Sequence, residues 1–158
     1  MSNEFLTKRV VQFTYDVTIN GGTKNTSIDI GGLPDNAILT GGYAHVITKP
    51  IDADAGDNTT VSLGYTGVVA GFYPATAISS LTAGSVLKLI PGVINVGSGE
   101  AITTVDTPAE AVAIGRVSGD TFSLIALTDS KRVLVSINND QNLTVGKINV
   151  FIEYVISK

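Results

Sequence analysis

Two stretches near the ends of the chain alternate with a period of two, and that alternation constrains the fold more than anything else in the sequence. In Lys147–Lys158, Ile148, Val150, Ile152, Tyr154 and Ile156 share one parity, while Lys147, Asn149 and Glu153 share the other with Phe151 and Val155. In a pleated strand successive side chains point to opposite faces, so the first set lines one face. β-Branched and aromatic residues dominate the run, and neither Gly nor Pro interrupts it after Gly146. Its backbone groups need a partner, which makes it a central or near-central strand. Near the other end, Val11, Phe13, Tyr15, Val17 and Ile19 alternate strictly with Gln12, Thr14, Asp16 and Thr18. That predicts a strand over 11–19 with one buried and one wet face.

Between these runs lie many short apolar segments broken by turn chemistry. Asn20-Gly21-Gly22, the cluster 31–36, Lys49-Pro50, Pro91-Gly92, Gly97–Gly99, Gly119-Asp120, Asp129-Ser130 and Asn138–Asn142 all read as turns. Strands are expected at Thr26–Ile30, Ala37–Thr48, Thr60–Tyr65, Val86–Ile90, Val93–Val96, Ile102–Val105, Ala109–Val117, Thr121–Leu127 and Arg132–Ile137. Gly41-Gly42 inside one of them predicts a bulge or a close backbone crossing. Gly67–Leu81 is the least β-like region, and a turn or two of helix is expected near 74–82. Turn signals about every 8–12 residues are the pattern of a sandwich or barrel. The fold class read from this is all-β: an antiparallel, jelly-roll-like β-sandwich with at most one short helix, near 74–82. A single domain is expected over 10–158, preceded by an arm over 1–9. Phe5, Leu6, Lys8 and Arg9 are that arm's candidate docking residues.

Composition narrows the function. The chain has 158 residues, enough to bury roughly 70% of its unfolded surface. Cysteine is absent, so no disulfide or thiolate chemistry is available. Charged residues are 15%, hydrophobic residues 44%, and the mean hydropathy is +0.32. So low a charge density favours a chain that covers part of its surface with a partner or with copies of itself. A net charge of −4 and a pI near 4.7, with no cluster of Lys and Arg, argue against nucleic acid. No segment reads as a signal peptide or reaches membrane-spanning length, so no membrane partner is expected.

Catalysis finds little footing. His45 is the single histidine, so no multi-histidine metal site can form within one chain, and no nucleophile-elbow motif accompanies it. Glu100, Asp106, Glu110 and Asp120 could only serve as paired carboxylates at a separation that sequence does not give. The chain is read as no enzyme and as needing no cofactor. Asp52, Asp54 and Asp57 are candidate cation ligands, since hard cations take several oxygens. As an EF-hand loop they fail, because Leu63 stands where the bidentate Glu belongs. Tyr65, Phe72 and Tyr73 are candidates for a ligand or glycan contact, with core packing as the alternative. Lys131-Arg132 reads as a basic pair on a solvated turn.

Four segments carry a resemblance: Gly32–Thr48, a Leu-Pro turn feeding an extended strand; Thr60–Tyr65; Leu81–Gly84; and the closing Gly146–Val155. In this order they resemble small β-sandwich virion proteins of tailed bacteriophages, of the head-fibre or capsid-decoration kind. The likeness spans the chain from about Phe13 onward. It implies a non-enzymatic, homo-oligomeric virion protein, trimeric first and dimeric second, assembled in the host cytoplasm. Such a protein binds the capsid or other virion proteins and exposes loops on the capsid surface. A similar sandwich serves in tail fibres and baseplates, so a carbohydrate- or receptor-binding module there is the alternative.

Overall fold

The computed structural model describes residues 7–54, 57–91, 111–113, 125–138 and 141–156; of 111–113 only the backbone is described. Ten strands run β1 (Arg9–Asp16), β2 (Thr26–Leu33), β3 (Ala37–Asp52), β4 (Thr60–Tyr65), β5 (Val68–Ala77), β6 (Val86–Leu89), β7 (Ala111–Ala113), β8 (Ile125–Leu127), β9 (Lys131–Asn138) and β10 (Leu143–Ile156). One α-helical turn, α1 (Val17–Asn20), and one 3-10 turn at Ile78–Ser80 complete the described elements.

The strands form two antiparallel sheets. The first has the order β1-β10-β3-β8-β7, with β6 also pairing to β3; the second has the order β2-β9-β4-β5. β6 holds Gly42–His45 of β3, and β8 holds Ile38 and Leu39 of the same edge. With β7 and β8 set aside, the sheets read β1-β10-β3-β6 and β2-β9-β4-β5. That alternation of the chain between two four-stranded layers is the jelly roll. β7 and β8 belong to the long connection between β6 and β9.

The closing run behaves as its period requires. β10 lies between β1 and β3, with Ile148, Val150 and Ile152 buried against the second sheet's Val133, Val135 and Ile137 in one core. Each such fully buried aliphatic side chain contributes about 1.5–3 kcal/mol relative to exposure. Gly41 and Gly42 have φ of +147° and +150°, and the register of β3 against β10 shifts opposite them, between Glu153 and Tyr154. A Cβ on Gly42 would stand 2.1 Å from the Phe151 carbonyl oxygen. The pair is therefore both a bulge and a close crossing.

The N-terminal strand stops earlier than its alternation predicts. Asp16 ends β1 and caps α1: its Oδ1 accepts from the Thr18 amide at 3.0 Å and the Thr18 hydroxyl at 2.6 Å. The Asn20 side chain accepts in turn from the Asp16 amide at 2.9 Å. Local side-chain bonds of this kind offer the backbone an alternative to a ladder, and here they win. Val17 stays buried, while Ile19 is turned out and is 79% exposed. Tyr15 donates its hydroxyl proton to the Gly21 carbonyl at 2.9 Å, and burial, then the Asp16 charge, pushes its phenol pKa up.

Further readings are corrected. A helical turn exists outside 74–82, at Val17–Asn20, and the region taken as least β-like holds strand β5 before its single 3-10 turn. The strand expected at Thr26–Ile30 runs on to Leu33 and joins the second sheet, where it pairs with β9. Lys131 is no solvated turn residue: it shares the inward parity of Val133 and Val135, is 3% exposed and pairs with Asp129 at 2.8 Å. The strands expected at 93–96 and 102–105 lie outside the described residues, as do parts of those at 109–117 and 121–127.

Candidate functional site

The acidic loop after β3 uses its carboxylates locally. Asp52 is buried at the strand end and accepts from the amides of Asp54 at 3.3 Å and Thr59 at 3.4 Å. Burial opposes its charge, but the hydrogen bonds from Thr59 and Asp54 prevail and hold its pKa below the ordinary value of 3.8. Asp57, in a left-handed conformation with φ of +48°, pairs with Lys49 at 2.8 Å. Asp54 lies exposed on the loop. Among the described residues no three His, Cys, Asp or Glu side chains gather as metal ligands would. Glu100, Asp106, Glu110 and Asp120 lie outside the described residues.

The aromatic candidates divide. Tyr65 and Phe72 are each 1% exposed and meet edge to face, with centroids 5.3 Å apart, inside the core. Tyr73 is half-buried against the same core. Of the arm candidates, Lys8 reaches Glu153 of β10 at 2.6 Å and Arg9 opens β1 opposite Tyr154. Phe5 and Leu6 lie outside the described residues.

The surface that sequence reasoning missed is the outer face of the first sheet. Among the described residues, the exposed large hydrophobics are Val10, Tyr43, Ile47, Ile51, Val86 and Val145 of that sheet, with Ile19 of α1 and Val69 of β5. Cross-strand register sets Gln12, Phe151, Tyr43 and Lys88 in one row, and Thr14, Asn149, His45 and Val86 in the next. The Tyr43 and Phe151 rings stack 4.5 Å apart at 18°. His45 thus stands half-buried among apolar and amide neighbours. The second sheet differs: on the parity opposite its core residues Ser27, Ser136 and Ser62 form a row, Ser136 and Ser62 buried, with the Ser27 and Ser136 hydroxyls 2.7 Å apart. The signal for the apolar face was present, since Tyr43, Ile47 and Phe151 all occupy the parity opposite to the core. The Gly41-Gly42 bulge hid it by resetting the phase of β3.

The fold has relatives of known structure. No protein-family model matches the sequence, and none of the curated proteins does. A chain of the cyanophage Pam1 capsid asymmetric unit is similar with a TM-score of 0.61 at 15% identity, covering 99% of this chain and 90% of that one. A chain from the acidic stable capsid of Helicobacter pylori bacteriophage KHP30 gives 0.55 at 12% identity, covering 96% and 89%. One from the capsid of Ralstonia phage GP4 gives 0.55 at 15% identity, covering 100% and 90%. At such identities the likeness is one of fold, and it runs nearly end to end: this jelly roll has the architecture of chains found in three phage capsids.

Proposed function

We propose that this chain is a non-enzymatic structural subunit of a tailed-phage virion: a homo-oligomeric head-fibre or capsid-decoration protein that grips the capsid and turns loops to the solvent. The observation that carries the reading is the near full-length match in fold to chains from three phage capsids. The physical surface supports it. A chain with 15% charged residues and an apolar, aromatic-bearing outer face is suited to being covered by other protein. Its work is adhesion, performed by the arm around Lys8 and Arg9, by the first sheet, or by both, with assembly in the host cytoplasm before release. The glycan-binding alternative loses support, because two of its three rings, Tyr65 and Phe72, are packed in the core.

The test is location. An antibody against the purified chain, detected with gold on phage particles of the source that encodes it, is expected to decorate heads. Label on tails alone would move the protein to a fibre or baseplate, and unlabelled intact particles would overturn the reading. Mass in solution decides between three copies and two, and a stable monomer at micromolar concentration counts against self-association.

A further inference from the structure

β1 ends its sheet: among the described residues it pairs with β10 alone. β1 runs from Arg9 to Asp16 against β10 without a single register shift, and it contains no Pro and no Gly. The Asp16 amide bonds to the Asn20 side chain, so at position 16 the backbone faces away from β10. In an antiparallel ladder the facing alternates, which turns the N–H and C=O groups of Val10, Gln12 and Thr14 to the open side as well. The close side-chain contact between Thr14 and Asn149, 2.9 Å from oxygen to oxygen, agrees with their being a non-hydrogen-bonded pair. A regular edge strand without a bulge is a template for another strand.

We infer that β1 is a homotypic seam: two copies of this chain add their β1 strands antiparallel about a two-fold axis at Gln12. This register sets Val10 against Thr14 of the second copy, Gln12 against its counterpart, and Thr14 against Val10, each pair exchanging both backbone bonds. It uses every open backbone residue between Lys8 and the blocked Asp16. A slip by two residues in one direction would need the Asp16 amide that Asn20 already occupies. Charge agrees with the same register, because it puts Lys8 opposite Asp16 of the second copy. Lys8 already pairs with Glu153 at 2.6 Å, and Asp16 with Lys147 at 3.3 Å. The seam therefore joins them into an alternating row: Glu153, Lys8, then Asp16 and Lys147 of the second copy. A two-fold contact of this kind is self-complementary and closes. The neighbouring edge, β2, bulges between Asp29 and Gly31, so the seam passes through the first sheet alone.

The inference rests on the self-association part of the proposed function and not on the place in the virion. The chain has no cysteine, so Gln12→Cys supplies one thiol per copy, with exposed Ala75→Cys as control. Opposed Cα atoms in a hydrogen-bonded pair stand about 5.5 Å apart, within reach of a short bis-maleimide. The expected result is a two-chain product from Gln12→Cys and none from Ala75→Cys. Sedimentation velocity is then read on Gln12→Pro and on the pair Val10→Asp with Thr14→Asp. The first removes the central N–H; the second sets like charges against each other across the seam and keeps the backbone ladder to β10, giving up only the Thr14–Asn149 side-chain bond. Each is expected to weaken association by on the order of tenfold or more. Should Gln12→Pro fail to fold, the doubly charged variant still gives the answer. An assembly whose mass ignores the folded variants and whose Gln12→Cys form does not cross-link overturns the seam alone. A monomeric native chain overturns the seam and self-association together.

Discussion

β1 and β2 border the same flank of the sandwich, each with one partner strand among the described residues, and they finish their sheets in opposite ways. β2 carries a bulge between Asp29 and Gly31, and the Asp29 carboxylate bonds both the Gly31 amide and the Arg132 guanidinium. Charge, kink and a left-handed glycine make a poor template. β1 is regular, and of the amides it turns away from β10 only the last is occupied among the described residues, by Asn20. Between them sits Phe13, whose ring fills the space where a Cβ on Gly31 would be. The contrast teaches that a sandwich can shut one layer while leaving the other open, with a single aromatic wedge joining the two decisions.

Four changes break or sharpen this contrast, from the largest effect down. Phe13→Ala empties the wedge, and a loss of about 3 kcal/mol in chemical denaturation is expected, as for other truncated aromatic rings. Gly31→Ala meets both the Phe13 ring and a φ of +155°, and a loss of about 2 kcal/mol is expected. The two residues share one space, so the double variant should cost less than the sum, a coupling that a double-mutant cycle reads directly. Asn20→Ala frees the Asp16 amide; about 1 kcal/mol of stability should be lost, and hydrogen exchange at Asp16 should speed up. Arg132→Ala removes an exposed pair with Asp29 and should have the smallest effect of the four, smaller still in high salt.

Acid titration tests the guarded edge by the same pair. The Arg132 hydrogen bond, aided by the Gly31 amide, holds the Asp29 carboxyl below its ordinary value of 3.8. A depressed folded-state pKa stabilises the fold above the unfolded value, and that contribution is lost as pH falls through the folded value. The native chain should therefore lose this stability on acidification below about pH 4, the unfolded aspartate range, while Asp29→Asn should be flatter there.

Much of this architecture was legible in the residues. Ile148, Val150 and Ile152 announced a central strand through period alone, and the glycines at 41 and 42 announced the bulge. The failures have local causes. Val17–Asn20 follows a β pattern, yet Asp16, Thr18 and Asn20 close a polar ring of short-range bonds that overrides it. Lys131 reads as surface because it is charged; its place at the start of β9, on the inward parity beside a pairing Asp129, depends on which layer the strand joins. Tyr65 and Phe72 read equally as binding rings or as core, and only tertiary packing separates those. The β1 seam was invisible in the sequence, because it depends on which backbone groups β10 leaves over.

The antiparallel pairing of Arg9 with Tyr154 has one more consequence. Polypeptide enters and leaves the jelly roll side by side, at the same pole of the molecule, with those backbones roughly 5 Å apart. Peptides fused directly before Lys8 or directly after Ile156 would emerge as neighbours, and a short linker joining those two positions should give a circular permutant with the sandwich intact. The same pole is then the natural place to tether cargo to the sandwich.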